Sequence, residues 1–234
     1  ISESIIFAFR DYIEAHQLFM DDFLTNNYLL LFKDRTIGKD LYFRHFVRIC
    51  DTIITMKHQL GADYLVANDI PTFLISLFFQ VDQEIRSCCF HFFCLILELK
   101  TEISILLFES DFFTISISEF LNQPKISYKR VIFRFWCEFI LCVPSELLTE
   151  LSSKIVYLID NVSFIDSNDH EINLVLSRAI NRIISSRDIP EYQNIINYIN
   201  ENEEFYEWIQ DTINSQNEEI GQLAMMNAEQ MNEE

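Results

Sequence analysis

The stretch "VDQEIRSCCFHFFCLIL" (residues 81 to 97) holds Cys88, Cys89, His91 and Cys94, residue types that suit a zinc ion wherever their side chains converge. On a helix they diverge. At about 100° per residue, His91 is turned about 200° from Cys89 and Cys94 about 140° from it, so Cys89, His91 and Cys94 cannot reach one ion. The residues are expected instead to be buried thiols, with His91 at the core edge bonded to a carbonyl. Cys50, Cys137 and Cys142 also sit in apolar runs. Six reduced thiols point to a cytosolic or nuclear compartment rather than to a disulfide scaffold.

A second set of chemistry-bearing residues is seven arginines. Arg44 and Arg48, Arg130 and Arg134, and Arg178 and Arg182 are spaced four apart, and Arg86 stands alone. Guanidinium forks bind carboxylates and phosphates bidentately, so the natural ligand of such a set is an acidic or phosphorylated protein segment. The competing reading is pairing along the same helix. Asp40 lies four before Arg44, Asp51 three after Arg48 and Glu138 four after Arg134, which leaves Arg178 and Arg182 without a local acid.

No nucleophile motif, HExxH pair, calcium loop or glycine-rich phosphate loop occurs in the sequence. No catalytic residue, metal ligand or cofactor site is therefore expected, and the chain reads as non-enzymatic. Paired carboxylates such as Asp21 and Asp22, or Glu203 and Glu204, read as solvated faces. The "NVS" at Asn161 matches the glycosylation pattern but has no use in a chain of reduced thiols.

What elements must position these residues? Half of the 234 residues are hydrophobic, with 22 Phe and 9 Tyr, but only 3 Gly and 4 Pro. Strand-rich folds need more turn-formers than that, so the composition favours long helices joined by short polar loops. Only 11 uncharged residues separate Arg86 from Glu98, and no segment reaches the length a spanning helix needs. The formal charge is -19, and residues 188 to 234 contain 12 acidic and no basic residues. Phosphate backbones and anionic lipids repel such a chain, which argues against nucleic-acid and membrane partners. Basic protein surfaces attract it.

The long apolar segments recur. "EIRSCCFHFFCLIL" starts at Glu84, "YKRVIFRFWCEFIL" at Tyr128 and "EINLVLSRAINRII" at Glu171, at spacings of 44 and 43, and the same step backward reaches "DLYFRHFVRICDTII" at Asp40. Ahead of them lie middle segments beginning at Ile70, Phe112 and Leu151, and short ones over 61 to 69, 101 to 110 and 144 to 151. Each unit reads as short helix, middle helix, long helix. Asp69, Asp82, Asn168 and Asp188 stand where side chains accept from the first turns of helices.

Three helices repeating at this interval resemble the armadillo and HEAT class of α-solenoids, closer to armadillo in unit length and helix order. The glycine common between the first two helices of an armadillo unit is missing in the units at 101 and 144. The resemblance implies an all-α, right-handed solenoid over residues 1 to 200, with N-terminal capping helices in 1 to 35 and repeats over 36 to 187. Residues 188 to 234 are expected to be acidic capping helices that grade, beyond Asn214, into a frayed helix or linker. It also implies a protein-interaction scaffold or adaptor, or else a regulatory subunit of phosphatase or formin type. Import-adaptor activity is disfavoured, because Trp136 is followed four later by Ile140 rather than asparagine. Third helices line the groove of armadillo proteins, so the resemblance would set Arg44, Arg48, Arg86, Arg130, Arg134, Arg178 and Arg182 as a ladder for an acidic or phosphorylated segment. An acidic tail lying in that groove would be self-inhibitory.

Overall fold

The computed structural model describes residues 17–36, 40–166, 169–186 and 190–232. Among them every regular element is a helix. The protein is all-α. The chain divides into two compact units, Ile1–Leu106 and Leu107–Glu234.

In the first unit, α1 (Gln17–Thr25) and α2 (Tyr28–Thr36) form a hairpin, followed by α3 (Asp40–Ala67), α4 (Ile70–Leu77), a 3-10 turn (Phe78–Gln80) and α5 (Gln83–Leu99). Asn27 turns the hairpin with φ 55°, a left-handed value that asparagine tolerates. The hairpin packs on α3, and α3 lies along α5. The apolar residues of α3 explain this. Phe43, Phe46, Val47, Cys50, Ile53 and Ile54 recur at helical spacing and are all buried. Phe73 of α4 sits edge-on to Phe46 at 5.7 Å, and Phe78 meets Phe90 of α5 at 5.2 Å.

Within the first 35 residues, where N-terminal capping helices are expected, a helical hairpin spans 17 to 36, and residues 1 to 16 lie outside the described residues. The expected separate short helix over 61 to 69 is present as the second arm of α3, set off from the long first arm by a break at His58. α3 runs on to Ala67 and kinks at His58, whose φ 43° and ψ -118° are strained for a side chain with a Cβ. Gly61 is needed just beyond. A Cβ there would stand 2.5 Å from the Ile53 carbonyl oxygen, so the two arms of the kink approach through glycine.

The second unit takes in the end of α6 (Ile103–Glu109), then α7 (Phe112–Leu121), α8 (Ile126–Cys142), α9 (Ser145–Glu150), α10 (Ser152–Ile159), a 3-10 turn (Val162–Phe164), α11 (His170–Ile184), α12 (Pro190–Glu201), α13 (Glu203–Ile213) and α14 (Glu218–Asn232). The order short, middle, long occurs over α6 to α8 and again over α9 to α11, and α12 to α14 follow as two helices of similar length and a longer third. α8 packs on α11, and α11 on α14. Trp136 centres one cluster, 4.7 Å from Phe120 and 5.9 Å from Phe133, and its indole N–H donates to Ser116 Oγ at 2.6 Å. Trp208 of α13 donates to Asn173 Oδ1 of α11 at 2.9 Å. Buried indoles need such partners.

The frayed tail expected beyond Asn214 is instead α14, whose Ile220, Ala224 and Asn227 are fully buried. Residues 190 to 232 thus repeat the three-helix order of the segments before them.

Helix starts are marked as expected at Asp82, which accepts from Ile85 N at 2.9 Å. At α11 the cap is Asp169, accepting from Ile172 N at 3.4 Å, while Asn168 and Asp188 lie outside the described residues. Asp69 makes no side-chain cap bond. It takes φ 55° instead, and Asp111 takes φ 54°. These two aspartates occupy the junctions between short and middle helices, so a left-handed turn is present at Asp111 without glycine.

Among the described residues no single helix is long and apolar enough to cross a membrane. α3 and α4 with its 3-10 turn, bent by 66° at their junction, reach that length and composition only together.

Candidate interaction surface

The long helices carry the seven arginines on their polar edges, and the structure gives most of them a partner one repeat away. On α3, Arg44 pairs with Glu84 in the first turn of α5 and lies 3.9 Å from its capping Asp82. On α8, Arg130 pairs with Asp169, the cap of α11, and Arg134 pairs with Glu171 in its first turn. On α11, Arg178 reaches Glu219 in the first turn of α14 at 2.8 Å. Each contact sets a guanidinium beside carboxylates that already sit at the favourable, positive end of a helix dipole. The result is a series of rungs, each tying one long helix to the start of the next.

Arg182 behaves differently. Its guanidinium donates to the carbonyls of Ile140 and Val143, satisfying the C-terminal end of α8, where a cation also complements the dipole. Arg48 is exposed, and its charge acts to lower the pKa of Cys88 on α5 against the raising effect of burial. Arg86 lies over the Phe78 ring at 5.9 Å. Of the same-helix pairs expected from spacing, Arg134 with Glu138 is formed at 3.9 Å, whereas Arg44 turns to the next helix.

The carboxylates at the other end of these rungs were not singled out by spacing arguments. Spacing along one helix links an arginine only to acids three or four residues away, while Glu84, Glu171 and Glu219 lie 40, 37 and 41 residues downstream of their arginines. An acid in the first turn of α5, α11 and α14 was the available signal. Other polar contacts share this reach: Lys57 with Asp21, Lys100 with Asp63, Lys154 with Asp111, and the Tyr198 hydroxyl donating to Asp160. The Lys100 bond holds the Asp63 carboxyl below its ordinary range and raises Lys100 in turn.

Cys89 and Cys94 are buried in α5, while the His91 side chain is 47% exposed. A carbonyl partner was expected for His91, and the structure sets its Nδ1 3.3 Å from Asp51 Oδ2 on α3. Asp51 Oδ1 is buried without a hydrogen-bond partner among the described residues, and burial raises the Asp51 pKa against the lowering effects of His91 and Arg48. Burial likewise pushes Cys50 and Cys89 well up, and Cys88 up, so these thiols stay protonated and unreactive at neutral pH.

Chemically, the surface offers guanidinium groups held in register but still half exposed, the Arg130 and Arg178 side chains retaining 51% and 50% of their accessible area. An incoming carboxylate or phosphate can exchange with the resident glutamates. No family model, curated protein or solved structure matches this chain.

Proposed function

We propose that the chain is a right-handed α-solenoid of armadillo-like units, serving as a non-enzymatic scaffold or adaptor for other proteins in a reducing compartment. The observation that carries this reading is the recurrence of one rung. Arg44 with Glu84, Arg134 with Glu171 and Arg178 with Glu219 each join a long helix to the first turn of the next. A three-helix unit cannot bury its apolar sides alone, and lateral stacking supplies the missing surface, which is the energetic logic of solenoids. The order short, middle, long over α6 to α8 and α9 to α11, with a third three-helix set ending in the longest helix over α12 to α14, supports it as well. Its partner along the arginine-bearing helices is an acidic or phosphorylated segment, bound by exchange against the resident glutamates.

The test uses the full chain with fluorescent phosphoserine and glutamate peptides read by anisotropy. Combined Arg48→Glu, Arg130→Glu and Arg178→Glu substitutions are expected to weaken binding by about tenfold or more. Unchanged affinity in a variant that circular dichroism shows to be folded would overturn the arginine surface.

A further inference from the structure

The corner between α7 and α8 gathers hydrogen-bond donors that have no acceptor. α5, α11 and α14 begin at Asp82, Asp169 and Asn217, whose side chains accept first-turn N–H groups. α8 has Lys125 in that place and no side-chain cap. The N–H groups of Tyr128 and Lys129 reach back to the Lys125 carbonyl, while those of Ile126 and Ser127 have no partner among the described residues. Gln123 adds a second observation. It is 3% exposed, and its Oε1 accepts from Lys125 N at 3.0 Å, which fixes its amide at the helix start. The Nε2 of that amide is buried without a partner among the described residues. Two cations stand at the same corner, exposed Lys125 and Lys129, whose Nζ lies 4.6 Å from the centre of the Phe120 ring. Among the described residues neither has a carboxylate partner, whereas Arg130, Arg134, Lys154 and Arg178 of the same unit each have one. Leu121 and Ile126, at the two ends of the loop, are 58% and 66% exposed.

We infer that the start of α8 binds the phosphate of a phosphorylated serine or threonine in a partner protein, with apolar neighbours of that residue resting on Leu121 and Ile126. The donors select phosphate over carboxylate. The N–H groups of Ile126 and Ser127, the Ser127 hydroxyl and Gln123 Nε2 all belong to one short stretch, and a phosphate presents three strong acceptor oxygens. Its charge of about -2 matches the two lysines. The positive end of the α8 dipole favours the same ligand, and no acid of its own occupies the first turn. An orphaned buried donor is costly, and an anion oxygen at this corner supplies the acceptor that Gln123 lacks. Exposed leucine and isoleucine favour a protein carrier over free phosphate. Membranes and nucleic acids bring many phosphates at once, which the -19 charge of the chain opposes, whereas a short segment brings one. The inference rests on the reading of the chain as an interaction scaffold, but none of its residues is one of the seven arginines.

The probes are a short labelled peptide with leucines on both sides of a phosphoserine and the same peptide with unmodified serine, each titrated with the full chain. The phosphopeptide is expected to bind about tenfold or more tighter than its serine form, to be displaced by inorganic phosphate, and to shift the amide resonances of Ile126 and Ser127. Lys125→Ala with Lys129→Ala is expected to cost about tenfold or more in affinity. Ile126→Pro deletes one free N–H at the first helical position, where proline suits a helix, and Lys125 before it already has the extended φ -85° and ψ 116° that proline demands. It is expected to weaken binding severalfold with the circular dichroism spectrum unchanged. Equal affinity for the two peptides overturns the proposal, as does the absence of binding, or unchanged phosphopeptide binding in a folded double-lysine variant. Binding lost on Arg48→Glu with Arg178→Glu but kept in the lysine variant gives the phosphate to the arginine surface, overturning this site and leaving the other standing. Phosphatidylserine vesicles bound through the two lysines, with the phosphopeptide left free, would assign the corner to a membrane and overturn it too.

Discussion

The seam between α3 and α5 and the seam between α11 and α14 join long helices laterally, each with an arginine rung at its edge, yet they are built from opposite chemistry. α5 buries Ile85, Cys89, Phe90, Phe92, Phe93, Cys94, Ile96 and Leu97, an apolar face that covers most of its circumference. α14 buries Ile220, Ala224 and Asn227, and its seat is made by side-chain amides. Asn227 Nδ2 donates to the Ser177 carbonyl at 2.8 Å, and Asn181 Nδ2 donates to Asn227 Oδ1 at 3.0 Å. A packing relation repeats along this chain more faithfully than the residues that make it. Hydrogen bonds between buried amides fix orientation, while aromatic packing supplies most of the free energy.

Truncating Phe92 to alanine is the strongest way to break that contrast. Loss of this fully buried phenylalanine of α5 is expected to cost about 3 to 5 kcal/mol in chemical denaturation. Asn227→Ala strikes the other seam and removes two amide contacts. Its expected cost is about 1 to 3 kcal/mol, read most directly as faster amide exchange throughout α14.

The smallest effect sharpens the comparison through pH. Burial raises the Asp51 carboxyl in the folded protein, so its contribution to stability is fully present below the unfolded carboxyl value of about 3.9 and is lost as pH rises through the folded value. Asp51→Asn is expected to flatten that part of the stability profile, measured as denaturation midpoints across the acidic range. A profile with the same slope in both proteins would show that the α3–α5 seam carries no charge penalty.

The long helices were legible because their apolar runs are dense. Expected starts at Asp40, Glu84, Tyr128 and Glu171 fall within two residues of the observed Asp40, Gln83, Ile126 and His170. α14 was not legible for the converse reason. Its interface depends on Ala224, Asn227 and the close approach of Gly221, where a Cβ would meet the Ile213 carbonyl oxygen at 2.9 Å, and none of these stands out in a search for hydrophobic periodicity. The left-handed turns at Asp69 and Asp111 were read as caps or as missing glycines, since aspartate serves either purpose and sequence does not separate them. The arginines were found, but their partners were sought on the wrong helix. Acids a whole repeat away become visible only once the lateral pairing of helices is known.

The amide-lined seat of α14 has a thermal consequence. Burial of apolar surface loses driving force on cooling, because the hydration it relieves carries a large heat capacity, whereas a contact made by amides and small side chains changes little over the same range. Near freezing, the phenylalanine-rich seam weakens toward the strength of the polar one, and the two ends of the chain come closest to melting alike in the cold.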